Sequence, residues 1–101
     1  MIFIFQMLDK PDAHAMRDEL RPIHKDYLAT KANEMAFAGP LKNDDNTKMI
    51  GSLLAIDFPD RAAATAWIQE EPFTKNGVYA SMSIYPFENL WAQKKGFPGD
   101  K

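Results

Sequence analysis

The chain has 101 residues, 14 Asp and Glu against 12 Lys and Arg for a formal net charge of −2, and no cysteine. That length suits one domain, which buries roughly 60–65% of its unfolded surface and folds without staples. The missing cysteines exclude disulfides, thiolate nucleophiles and thiolate metal sites, and the absence of any basic run removes the electrostatic footprint of a nucleic-acid or anionic-membrane partner.

Met1 to Leu8 reads as a strand in which both alternating sets are apolar: Met1, Phe3, Phe5 and Met7 on one side, Ile2, Ile4 and Leu8 on the other. Such a strand needs cover on both faces. Asp9 to Asp12 is a turn, and Asp12 is expected to cap a helix that starts near Ala13 and runs to about Asn33. A break is expected at Arg21-Pro22, because proline suits the first turn of a new helical segment. The apolar positions Ala13, Met16, Leu20, Ile23, Tyr27, Leu28 and Ala32 form a stripe of helical period, which leaves His14, Arg17 and Asp18 to solvent.

Met35 to Gly39 is a second, short strand ended by Gly39-Pro40. The polar run Asn43 to Thr47 is a loop; it lacks the glycine and closing glutamate of a calcium loop, and no metal site is expected. Met49 to Phe58 is a third strand with Ser52 as a lone hydroxyl among apolar neighbours. Asp60 caps a second helix from Arg61 to about Glu70, whose buried face is expected to be Ala62, Ala63, Ala66 and Trp67. Glu71 to Gly77 is an irregular or single-turn segment, Val78 to Phe87 a fourth strand, and residues 88–101 a charged tail with a short element expected around Leu90-Trp91.

The order strand, helix, strand, strand, helix, strand specifies an α+β fold. Its usual closure is ferredoxin-like βαββαβ, with two helices on one face of a four-stranded antiparallel sheet. The other sheet face would be apolar and bare, so a homodimer through that open face is expected. The uncharged run Gly77 to Phe87 is too short to span a bilayer and the N-terminus lacks a basic leader pattern, so we expect a soluble, cytoplasmic protein.

Chemistry centres on Arg21, His24, Tyr27 and Leu28, three or four residues apart and so on one helix face. By residue type alone His24 is either a half-buried helix histidine with a satisfied hydrogen bond or an acid–base group. Glu71 is either a solvated acid before a proline turn or a partner for that imidazole. Arg21 is a surface cation or an anion holder, Ser52 a strand hydroxyl bonded to backbone or a donor to substrate. Tyr27 and Phe73 are core or a stacking platform, and Gly39 and Pro40 are backbone punctuation or a pocket wall.

The ordered set Arg21-x-x-His24-x-x-Tyr27-Leu28, Ala38-Gly39-Pro40, Gly51-Ser52, Ala66-Trp67, Glu71-Pro72-Phe73 and Ile84-x-Pro86-Phe87 resembles the YciI-like, or YCII-related, family across nearly the whole chain. The resemblance implies a dimeric α+β barrel and an active site holding a histidine and an acidic residue. In the family the acid opens an Asp-Pro-Phe motif; here Glu71 stands in its place, one methylene longer. Among family members is a dehydrochlorinase acting on a chlorinated hydroxyquinol-type aromatic. A histidine paired with a carboxylate is a proton-transfer dyad. We therefore expect a cofactor-free elimination or isomerisation of a small organic substrate, with His24 and Glu71 catalytic and Arg21, Ser52, Tyr27, Phe73, Gly39 and Pro40 binding. The alternative is a non-catalytic accessory protein that holds a small anion.

Overall fold

A computed structural model describes residues 1–91. The elements are β1 (Ile2–Asp9), α1 (His14–Ala29), β2 (Met35–Lys42), β3 (Met49–Asp57), α2 (Arg61–Gln69), the single turn α3 (Pro72–Lys75) and β4 (Tyr79–Phe87). The strands make one antiparallel sheet in the order β2-β3-β1-β4, an α+β fold of the expected type. Among the described residues no helix is long and apolar enough to cross a membrane.

The alternation in β1 sorts its two faces. Phe3, Phe5 and Met7 are buried and pair across to Ile56, Leu54 and Ser52 of β3, so these side chains share the face packed by the helices. They form the core with Phe58, Ala64 and Ile68. Ile2 and Ile4 face the other way with Leu53 and Ala55, and opposite them on β4 stand Phe87 and Tyr85, 43% and 64% exposed.

Several local expectations change. Helix α1 runs unbroken through Pro22, because that residue lies on the exposed side, where the bond its missing N–H forfeits is easily replaced by water. Asp12 does not cap it: Asp12 takes a left-handed φ of 62°, and Ala13 is the N-cap without a side-chain bond. The helix also ends at Ala29 rather than near Asn33. Its inward stripe is Ala13, Arg17, Leu20, His24, Tyr27 and Leu28, while Met16 and Ile23 are 36% and 51% exposed. The stripe is turned by about one residue, roughly 100°, from the apolar set.

Strand β2 continues past Gly39-Pro40 to Lys42. Pro40 is tolerated because β2 is an edge strand. In α2 the buried residues are Ala64 and Ile68, with Ala63 and Trp67 half-buried and Ala62 and Ala66 exposed. Asp60 caps this helix, accepting from the Ala63 amide at 2.8 Å. Glu88 to Trp91 form no helix or strand, and the rest of the tail lies outside the described residues.

Candidate active site

A cavity of about 250 Å³ opens between α1, the β2–β3 side of the sheet and α3. Three elements bring its chemistry together. Helix α1 contributes Arg17, Arg21, His24 and Leu28 from one stripe, β3 contributes Ser52 and Leu54, and α3 contributes Phe73; Gly39 and Pro40 of the edge strand close the far wall.

Glu71 is fully buried, which removes the solvated-acid reading. It sits before Pro72 as the N-cap of α3, in extended conformation, and its side chain reaches two partners at once. Oε2 accepts from the Thr74 amide at 3.1 Å, and Oε1 is hydrogen-bonded to Nδ1 of His24. The extra methylene of glutamate is thus taken up by a capping turn that aims the carboxylate. Behind the cavity wall, Glu71 itself does not line the space; His24 does.

The imidazole of His24 is stacked on Phe73, centroids 3.8 Å apart and planes 5° from parallel, and its side chain is 13% exposed. Two of the ring's constraints are therefore set by α3: Phe73 fixes its plane and Glu71 its rotation.

A second buried system, which the sequence reading left in solvent, runs beside it. Arg17 is 7% exposed. It makes a bidentate pair with Asp9, Nε to Oδ2 at 2.6 Å and Nη2 to Oδ1 at 3.1 Å, and Nη2 also donates to the Gly51 carbonyl at 2.7 Å and to Ser52 Oγ at 2.9 Å. The Tyr79 hydroxyl donates to the same Ser52 oxygen at 2.9 Å. A bulge makes this possible: Leu8 pairs with Ser81 but Asp9 pairs with Tyr79, skipping Ala80, which switches Tyr79 onto the helix-covered face shared by Met82 and Ile84. Burial pushes the Tyr79 phenol well above its ordinary range, opposed by the Ser52 bond and reinforced by the nearby Glu71. The two systems meet at Phe73, whose ring also lies 5.0 Å from the Arg17 guanidinium carbon.

Of the residues expected at the site, Arg21, His24, Ser52, Phe73, Gly39 and Pro40 line the cavity. Arg21 is on its exposed edge, with Nη2 4.0 Å from the Met49 sulfur. Tyr27 does not line it. Its ring stacks on Trp67 at 5.0 Å and its hydroxyl donates to the Trp67 carbonyl at 2.6 Å, so it ties α1 to α2. Ser52 bonds side chains rather than only backbone. Arg17, Asp9 and Tyr79 were missed, although Ala13, Arg17, Leu20, His24 and Leu28 are themselves a set of helical period. Among the described residues no group of three His, Asp or Glu side chains is placed to hold a metal ion.

Compared with known proteins, residues 1–88 match the family described as the YCII-related domain. The proteins called YciI in Escherichia coli O6:H1 and in Shigella flexneri are each 29% identical over 98 residues, covering 90% of this chain and 100% of theirs. Among solved structures, the fold is similar to that of 5-chloro-2-hydroxyhydroquinone dehydrochlorinase (TftG) from Burkholderia phenoliruptrix AC1100, determined in complex with 2,5-dihydroxybenzoquinone. The TM-score is 0.80 at 23% identity, over 87% of this chain and 94% of that one. An antibiotic biosynthesis monooxygenase is similar at a TM-score of 0.55 and 16% identity, over 89% and 99% of the two chains. These likenesses to solved structures concern the fold.

Proposed function

This chain belongs to the YCII-related domain family, and from that membership and the cavity's geometry we propose a small, cofactor-free enzyme of proton-transfer chemistry. The reaction class is elimination or isomerisation of a small aromatic or enol substrate, with His24 as acid–base and Glu71 as the residue that positions it. The observation that carries this is the imidazole on the cavity wall, bonded through Nδ1 to a fully buried carboxylate and stacked on Phe73. An ionised carboxylate only accepts, so within the pair Nδ1 carries the proton and Nε2 the lone pair. Nε2 then takes a proton from substrate, Glu71 stabilises the imidazolium that forms, and the same nitrogen returns the proton to product or releases it with the leaving group. Leu28, Leu54 and Phe73 supply an apolar wall suited to a flat ring.

The substrate named for the structurally similar dehydrochlorinase, 5-chloro-2-hydroxyhydroquinone, is the first compound to test, followed by enol lactones. Wild type should release chloride or shift the double bond, and His24→Ala should lose at least about a hundredfold in rate while remaining folded. Full activity in His24→Ala would rule out the role. Binding of such compounds with no turnover in wild type would leave a non-catalytic anion-binding protein.

The second face of the sheet supports a homodimer: Ile4, Leu53, Tyr85 and Phe87 present an apolar surface that no element of the chain packs as the helices pack the first. Light scattering after size exclusion should give twice the chain mass, and Tyr85→Glu should halve it.

A further inference from the structure

We propose that the free edge of the Arg17 guanidinium and the Ser52 hydroxyl form an oxyanion seat in the cavity, so that its ligand is a small planar molecule bearing an ionised oxygen. The inference rests on the cavity being the substrate site, but it concerns what is bound there and not which group moves the proton.

Donor accounting carries it. Arg17 spends Nε and Nη2 on Asp9, the Gly51 carbonyl and Ser52, whereas Nη1 has no hydrogen-bond partner among the described residues. Nη1 is not sealed off either: among the described residues the only fully buried side-chain nitrogen or oxygen without a partner is Trp67 Nε1. Since Arg17 lines the cavity, the two N–H groups of Nη1 are available to whatever occupies it.

Ser52 is constrained in the same direction. Its oxygen accepts from Arg17, which can only donate, and from Tyr79, whose phenolic proton has no other acceptor among the described residues. Both lone pairs are then used, and the serine proton is left to be donated. Ser52 is 4% exposed yet lines the cavity, so that direction is into it.

The two donors are fixed before any ligand arrives. Arg17 is clamped by the Asp9 carboxylate and a backbone carbonyl, and Ser52 is held from two sides, so little ordering is required on binding. A guanidinium edge matches a planar oxyanion, and Asp9 lies on the opposite edge where it anchors the cation without occupying the seat. The space of about 250 Å³ and the apolar wall of Leu28, Leu54 and Phe73 select a small flat body. Arg21, exposed at the edge, is by contrast a mobile, solvated cation suited to attraction at a distance.

4-Nitrophenol is a suitable probe, because its neutral and ionised forms differ in colour and the bound ratio can be read directly against pH. Wild type should bind the phenolate at least about tenfold more tightly than the phenol, as expected for a charge-assisted hydrogen bond. Ser52→Ala should lose most of that preference; where that variant fails to fold, Arg17→Lys serves and carries the same expectation. His24→Asn should keep the preference while losing any turnover, so a catalytic failure and a binding failure are told apart. No preference in wild type, an unchanged preference in Ser52→Ala, or a preference abolished by Arg21→Met but not by Ser52→Ala would each overturn the seat.

Discussion

The His24 imidazole lies flat on the Phe73 ring, 3.8 Å between centroids, although the two residues come from different helices. Phe73 is 2% exposed, so truncation is expensive: Phe73→Ala should cost about 3–5 kcal/mol, and Phe73→Leu about 1–1.5 kcal/mol. Urea midpoints would measure both. In Phe73→Leu the His24 ring protons, shielded by the facing aromatic ring in wild type, should move downfield in the proton NMR spectrum.

Glu71 performs two tasks that two substitutions separate. Its Oε2 caps α3 through the Thr74 amide and its Oε1 meets His24. Glu71→Gln retains a carbonyl that can cap and should cost less than about 1 kcal/mol, whereas Glu71→Ala loses the cap and leaves the imidazole unpaired, for about 1–3 kcal/mol. Nitrogen-detected NMR of His24 should show Nδ1 protonated in wild type and a mixture of tautomers in Glu71→Gln. An unchanged tautomer would show that Glu71 does not orient the ring.

The Asp9–Arg17 pair is more than nine-tenths buried on both sides, with side chains 7% and 8% exposed. Arg17→Met leaves the Asp9 carboxylate desolvated and alone, and should destabilise by about 3–5 kcal/mol. The double variant Arg17→Met with Asp9→Leu should recover much of this, because no buried charge remains. Chemical denaturation of the three variants provides the cycle.

Tyr79 sets an alkaline limit on stability. Its folded phenol resists ionisation chiefly because it is buried, whereas the unfolded phenol ionises near 10.0. The unfolded state therefore sheds its proton first as pH rises, so this contribution is whole below pH 10.0 and is lost progressively above it. Tyr27, also raised by burial and by Glu70 and Glu71, acts in the same sense. Tyr79→Phe should make unfolding free energy fall less steeply above that pH, as followed by denaturation at several alkaline pH values.

Much of this arrangement is legible in the chain. Alternation in Met1 to Leu8, the Asp60 cap and the order of elements determine an α+β sheet with helices on one face, because these signals are local and repeat with the period of each element. The motifs around His24 and Glu71-Pro72-Phe73 likewise identify the family and draw attention to those residues.

Which side of α1 faces inward was decided only by tertiary structure. Apolar periodicity places Met16 and Ile23 in the core and sends Arg17 to water, yet the buried stripe carries Arg17 and His24. A polar side chain is buried at tolerable cost only when its partners are buried with it. Those partners are Asp9, eight residues before Arg17, the β3 residues Gly51 and Ser52, and Glu71, 47 residues beyond His24. No local pattern encodes such distant pairings; the register of β1 on β3, the bulge that turns Tyr79 inward and the capping turn at Glu71 create them together.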